Sequence, residues 1–130
     1  HGVMNTDNPA ISGETIDYGP CAFMDGFNPN KTFSSIDSGG RYAYNHQPMI
    51  GQWNLTRFAE TLLKLLDKNQ DDSIAIAKKS IESFWFSFEK AFHDGLCKKI
   101  GLNTSDENST KLAFEFLDLL SKSEVDFTTA

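Results

Sequence analysis

The chain lacks several features that would otherwise point to a function. It has two cysteines, Cys21 and Cys97, far apart and in no CxxC pair. That excludes a zinc centre built on clustered thiolates, and both are expected to be ordinary buried or half-buried thiols. Basic residues are in the minority, with 12 Lys and Arg against 18 Asp and Glu. There is no basic stripe, so nucleic acid is not expected as a partner. No apolar run approaches the roughly 18–20 residues of a membrane span, so no spanning helix is present and no membrane partner is expected. No signal-peptide pattern opens the chain. A reducing compartment is therefore expected: the bacterial cytoplasm, or the mitochondrion in a eukaryote. The Asn-x-Ser/Thr sequons starting at Asn30, Asn54, Asn103 and Asn108 carry no meaning there. Internal repeats and low-complexity segments are also missing. The first residue is not Met. The chain is thus expected to be a piece of a longer protein, its 130 residues sufficing for one core.

What is present begins at the first nineteen residues. Asp7 and Asp17 stand ten residues apart, with Asn8 beside the first and Tyr18-Gly19 after the second. Ser12-Gly13 is a turn signal, and Glu14-Thr15-Ile16 alternates in strand fashion. A β-hairpin here would gather two carboxylates and one amide oxygen at one mouth. Such hard oxygen ligands suit Mg²⁺ or Mn²⁺, especially where substrate phosphates complete the shell. Taken alone, Thr6-Asp7-Asn8-Pro9 reads as an ordinary turn, because Asp and Asn side chains satisfy nearby backbone groups. The order of the residues adds weight to the metal. In protein kinases a catalytic loop H-x-D-x-x-x-x-N precedes D-F-G, and its Asn and the D-F-G Asp hold the metal. His1 and Asn8 have that spacing, and Asp17-Tyr18-Gly19 has the D-F-G form. Val3 occupies the position of the catalytic Asp, so by the kinase pattern this is a pseudokinase.

The strings His1-Gly-Val-Met-Asn-Thr-Asp-Asn8, Thr15-Ile-Asp-Tyr-Gly-Pro20, Phe23-Met-Asp25 and Gly40-Arg-Tyr-Ala-Tyr44, with Gln47-Pro48 and Trp53-Asn54, closely resemble the selenoprotein O family, also called YdiU. The resemblance runs without gaps to about residue 66 and more loosely beyond. It implies a kinase-like fold and a protein adenylyltransferase, which moves AMP from ATP to Ser, Thr or Tyr hydroxyls of proteins and binds ATP flipped relative to kinases. It further implies that Asp7 is the catalytic base, that Asn8 and Asp17 bind the metal, and that Asp17 reaches ATP through it. The family's redox-active selenocysteine or cysteine lies near the far C-terminus of the full protein, so neither Cys21 nor Cys97 takes that role. The Gly-rich loop, the β3 lysine and its glutamate belong to an N-lobe this chain lacks. That N-lobe is an expected partner beside ATP and the protein substrates, and the isolated chain is expected to be inactive.

The remaining chain reads as mainly α. Residues 20–47 form a long loop placed like an activation segment, a length uncommon in compact domains unless functional. In it Arg41 reads either as a contact to phosphate or an acidic loop partner, or as a surface arginine. Tyr42 and Tyr44 alternate like strand residues and are expected to be packed rather than reactive, and His46 reads as a solvated loop histidine. Three helices follow in 48–130. The first, from about Pro48 to Asp67, has a stripe of Ile50, Trp53, Phe58, Leu62, Leu63, Leu65 and Leu66. The second, from about Ser73 to Ile100, has Asp71 or Asp72 as N-cap and Gly101 as C′ residue. It should bury Ile74, Ala77, Ile81, Phe84, Trp85, Phe88, Phe92 and Leu96, with Phe86 off the stripe and free for a partner. His93 sits where a helix dipole favours a histidine. The third helix starts at Ser109 or Thr110, and its apolar residues, Leu112 to Leu120, are numerous enough for burial on more than one side. The expected fold is a kinase-like C-lobe fragment: a hairpin over 1–19, the loop, and about three helices. Two rival readings stay open: a helical interaction module without catalysis, and a protein kinase.

Overall fold

The computed structural model describes residues 2–15, 17–19 and 21–130. His1, which set the kinase-like spacing, and Ile16 and Pro20, which belong to the resemblance, lie outside the described residues. The chain is mainly helical. A single 3-10 turn, Tyr44–His46, leads into α1 (Gln47–Leu66), followed by α2 (Gln70–Lys99) and α3 (Glu107–Ser121). None of the described helices is long and apolar enough to cross a membrane. Two compact units divide the chain: His1–Ala22 with Asn30–Phe84, and Phe23–Pro29 with Trp85–Ala130.

The β-hairpin expected over residues 1–19 does not form. Among the described residues there is no strand, only an isolated bridge between Gly26 and Asp126. The turn signal itself was sound: the Gly13 N–H donates to the Ala10 carbonyl at 3.1 Å, and Gly13 has φ +69°. No ladder grows from it. Ile11, Glu14 and Thr15 are exposed, and a short two-stranded ribbon with no face to pack on is marginal in water.

In the first unit, α1 places Pro48 in its first turn, where a missing N–H costs nothing. It buries Ile50 and Asn54 only. Trp53, Phe58 and Leu65 of the expected stripe are exposed. The turn into α2 is built on polar groups. Asn69, not Asp71 or Asp72, is the cap, its Oδ1 accepting from the backbone of Asp71 at 2.8 Å and of Asp72 at 3.4 Å. Ser73, 1% exposed, donates to the Leu63 carbonyl at 2.7 Å and accepts from the Asp67 N–H at 3.1 Å. Phe84 closes against Gly51, where an added Cβ would lie 3.6 Å from the ring.

In the second unit the core is Met24, Phe27, Leu96, Cys97, Ala113, Leu117 and Leu120. Phe27 packs on Phe127, with centroids 5.1 Å apart. Helix α2 ends as its glycine requires. Gly101 has φ +79°, its N–H reaches the Lys98 carbonyl at 3.1 Å, and the Leu102 N–H reaches Cys97 at 2.9 Å. This is the paired closure of a Schellman cap. Asp106 caps α3 through its Oδ1 and the Ser109 N–H at 2.9 Å, three residues before the expected start. Only the face carrying Ala113, Leu117 and Leu120 is buried, so the expected burial on more than one side is absent, and Leu112, Phe114 and Leu119 are exposed. Of the apolar set expected to be buried on α2, Leu96 alone is fully so; Trp85 is exposed and the others are half-buried. Phe86 is 75% exposed, in keeping with its place off the stripe. His93 lies a turn and a half before the end of α2 and packs edge-on against Phe114 at 5.6 Å, so ring packing rather than the dipole accounts for it. Cys97 is buried, whereas Cys21 is exposed, against expectation.

Candidate functional site

Asp7 and Asn8 lie on one turn. The Asn8 N–H donates to the Asn5 carbonyl at 2.9 Å, closing Asn5–Asn8. The side-chain Nδ2 of Asn8 donates to the Val3 carbonyl at 2.9 Å. That bond uses the amide's donor end and leaves its oxygen, the atom a hard cation takes, unengaged. The Asp7 carboxylate is exposed and accepts no hydrogen bond from the described residues. Asp17 is also exposed; its Oδ1 accepts from the Gly19 N–H at 2.9 Å, and its other oxygen is left available. All three groups can therefore offer an oxygen. With the hairpin absent, however, no strand pairing draws Asp17 toward Asp7 and Asn8. Among the described residues no three His, Cys, Asp or Glu groups gather as a metal cluster.

The turn is tied to the first unit from outside. The Asn54 Nδ2 on α1 donates to the Met4 carbonyl at 3.0 Å. The Tyr42 hydroxyl donates to Asn5 Oδ1. Gly2, at φ +71°, lies so near Phe33 that an added Cβ would come within 2.8 Å of the ring, and only glycine fits there. Reading for chemistry passed over Asn54. A detectable signal existed, since it follows Ile50 by four on the buried stripe of α1 and is polar.

The loop corrects several expectations. Tyr42 sits in a turn and Tyr44 starts the 3-10 turn, so neither is a strand residue, although both are half-buried as expected of packed side chains. Burial pushes the Tyr44 phenol above its ordinary value. His46 is half-buried rather than solvated: it precedes α1 and its Nδ1 lies 2.8 Å from the Gly40 carbonyl, with no side-chain bond to the helix N-terminus. The acidic neighbour of Arg41 is Asp37, but the contact is through backbone: its carboxylate accepts from the Arg41 and Tyr42 N–H groups, each at 2.8 Å. The Arg41 guanidinium instead lies 5.0 Å from the centroid of Trp53, and that of Arg57 lies 5.6 Å from the same ring. These are cation–π distances. The two arginines of the sequence thus share one indole.

Comparison with known proteins was made on the whole chain. The sequence profile of the family described as Protein adenylyltransferase SelO matches residues 1–130, well past residue 66. A protein from Clostridium perfringens (strain SM101) named Protein nucleotidyltransferase YdiU is 55% identical over 128 residues, covering 98% of this chain and 26% of its own length. One of the same name from Bradyrhizobium diazoefficiens is 53% identical with the same coverage. Another from Clostridium botulinum is 52% identical, again with 98% and 26% covered. The chain therefore spans about a quarter of the length of the curated relatives it matches.

Proposed function

The chain belongs to the SelO family of protein adenylyltransferases, and from that membership we propose that it is the metal- and nucleotide-handling part of a protein that transfers AMP from ATP to Ser, Thr or Tyr hydroxyls of other proteins. The observation that carries the reading is the family match across every residue from 1 to 130, at about half identity to named nucleotidyltransferases. The stretch that holds Asp7, Asn8 and Asp17 lies inside it.

The chemistry assigns each residue a task. Asn8 and Asp17 would hold Mg²⁺ or Mn²⁺, which neutralises charge on the phosphate oxygens of ATP. The donor set fits a hard cation, because the free atoms are two kinds of oxygen and no thiol or imidazole. Asp7 would accept the proton of the substrate hydroxyl as its oxygen bonds the α-phosphorus and pyrophosphate departs with the other bonding pair. Asp7 works by placement, within reach of the hydroxyl. Choosing the α- over the γ-phosphate depends on how the nucleotide lies, and for that the reading rests on family membership. The groups that grip the triphosphate in kinases have no counterpart in this chain, so the isolated chain transfers no AMP.

The test grafts this chain into a full-length relative in place of the matched segment. Label on the α-phosphate of ATP is expected to reach a protein acceptor, label on the γ-phosphate is not, and Asp7→Ala is expected to cut the rate about 100- to 10,000-fold. Transfer of γ-label, or unchanged transfer after Asp17→Ala, defeats the proposal.

A further inference from the structure

Asn54 is the one polar residue on the buried face of α1. It is 9% exposed. Its Nδ2 is engaged with the Met4 carbonyl, 50 positions earlier in the chain. Its Oδ1 is buried with no hydrogen-bond partner among the described residues. A half-satisfied buried amide opposes folding, where a leucine of similar shape would favour it. The stability of α1 therefore gives no reason for an asparagine at this position.

The reason lies in what the amide holds. The turn carrying Asp7 and Asn8 is closed by bonds internal to itself, from Asn8 to Val3 and to Asn5. Those bonds set its shape but not its position. The Asn54–Met4 bond ties that turn, three residues before Asp7, to a side chain carried by a 20-residue helix. Tyr42 adds a second tie at Asn5, but from a loop. A ligand group must be held to a fraction of an ångström to bind metal well, and that precision comes from the rigid element behind it.

We propose that Asn54 is a positioning residue: it pins the Met4 carbonyl and so fixes the Asp7–Asn8 turn for metal and substrate. The proposal rests on the reading that this turn is the reactive one. Asn54 touches neither cation nor nucleotide. Its effect passes through the backbone from Met4 to Asn8.

Two variants and two readouts test it. Asn54→Leu removes the stranded oxygen, so the fold is retained, while the Met4 carbonyl loses its donor; Asn54→Asp keeps the shape and removes the donor. In the isolated chain, the nitrogen-15 order parameters of the Asn5–Asn8 amides are expected to fall in Asn54→Leu, with those of α1 unchanged. In the grafted full-length relative, the Mg²⁺ concentration for half-maximal AMP transfer should rise roughly 10- to 100-fold, as for other groups that orient metal ligands from behind. The KM for the acceptor protein should not move. Unchanged order parameters and Mg²⁺ requirement in Asn54→Leu overturn the proposal. So does a parallel fall in activity and in α1 order in both variants with the Mg²⁺ requirement unmoved, which would make Asn54 merely structural. A graft inactive with Asn54 intact counts against the reaction assigned above, and the order parameters still decide whether Asn54 fixes the turn.

Discussion

Ser73 shows how much can depend on one hydroxyl. It is buried where α1 hands over to α2, and its oxygen serves the Leu63 carbonyl and the Asp67 N–H at once. Ser73→Ala leaves both unmet, and an unmet buried polar group costs about 1–3 kcal/mol. Urea unfolding followed by helical circular dichroism is expected to show a loss of that size, with the slope unchanged. A loss below a few tenths of a kcal/mol would mean that solvent reaches the joint. Ser73 stands beside an acidic pair in the sequence, where capping was expected of Asp71 or Asp72. The real cap, Asn69, and the buried serine are separable only once the turn's path is known, since Asn, Asp and Ser compete on nearly equal terms for such positions.

Among the elements, those read best from the sequence were the ones whose cause is local. The three helices appear within a few residues of where apolar period and caps put them, and Gly101 ends α2 as its freedom at positive φ suggests. What failed depended on distant partners. Glu14 and Thr15 have strand character but nothing to pair with, and Leu65 and Leu119 have apolar side chains that stay exposed. At the candidate site the pattern named Asp7, Asn8 and Asp17 as ligand candidates but could not show them meeting: Asp7 and Asn8 sit on one turn, while Asp17 is held by the Gly19 N–H with no strand pairing to bring it over. The local causes of α3 also make it sensitive to acid. Hydrogen bonds from Ser105 and then Lys90 hold the Asp94 carboxyl below its ordinary value, and the Ser109 N–H, then Thr104, do the same for Asp106. A carboxyl with a depressed folded-state value stabilises the fold at pH above its unfolded value of about 3.9. That contribution disappears as pH falls through the folded value. The urea midpoint reported by the α3 signal is therefore expected to drop as pH is lowered from neutrality through the Asp range. The drop should shrink in the Asp94→Asn, Asp106→Asn double variant. An equal drop in both would assign the acid sensitivity elsewhere.

For the whole molecule the decisive quantity is surface. Both units leave large apolar side chains uncovered: Tyr18, Ile36 and Leu65 in the first and Phe23, Phe86 and Leu119 in the second all stand in water. Scattered exposed apolar residues are normal, but so many on a small chain are not. Net charge opposes association, and at −6 it is moderate for a domain of this size. Added salt screens that repulsion over about 10 Å at 0.1 M and leaves apolar attraction in place. The isolated chain is therefore expected to self-associate in sedimentation velocity, more so as concentration and salt rise. Phe86→Ser with Leu119→Ser should shift it toward monomer while its helical signal is kept. A monomer at every concentration and salt level would mean that these side chains find cover within the chain itself, and the exposed faces of α2 and α3 would then need another account.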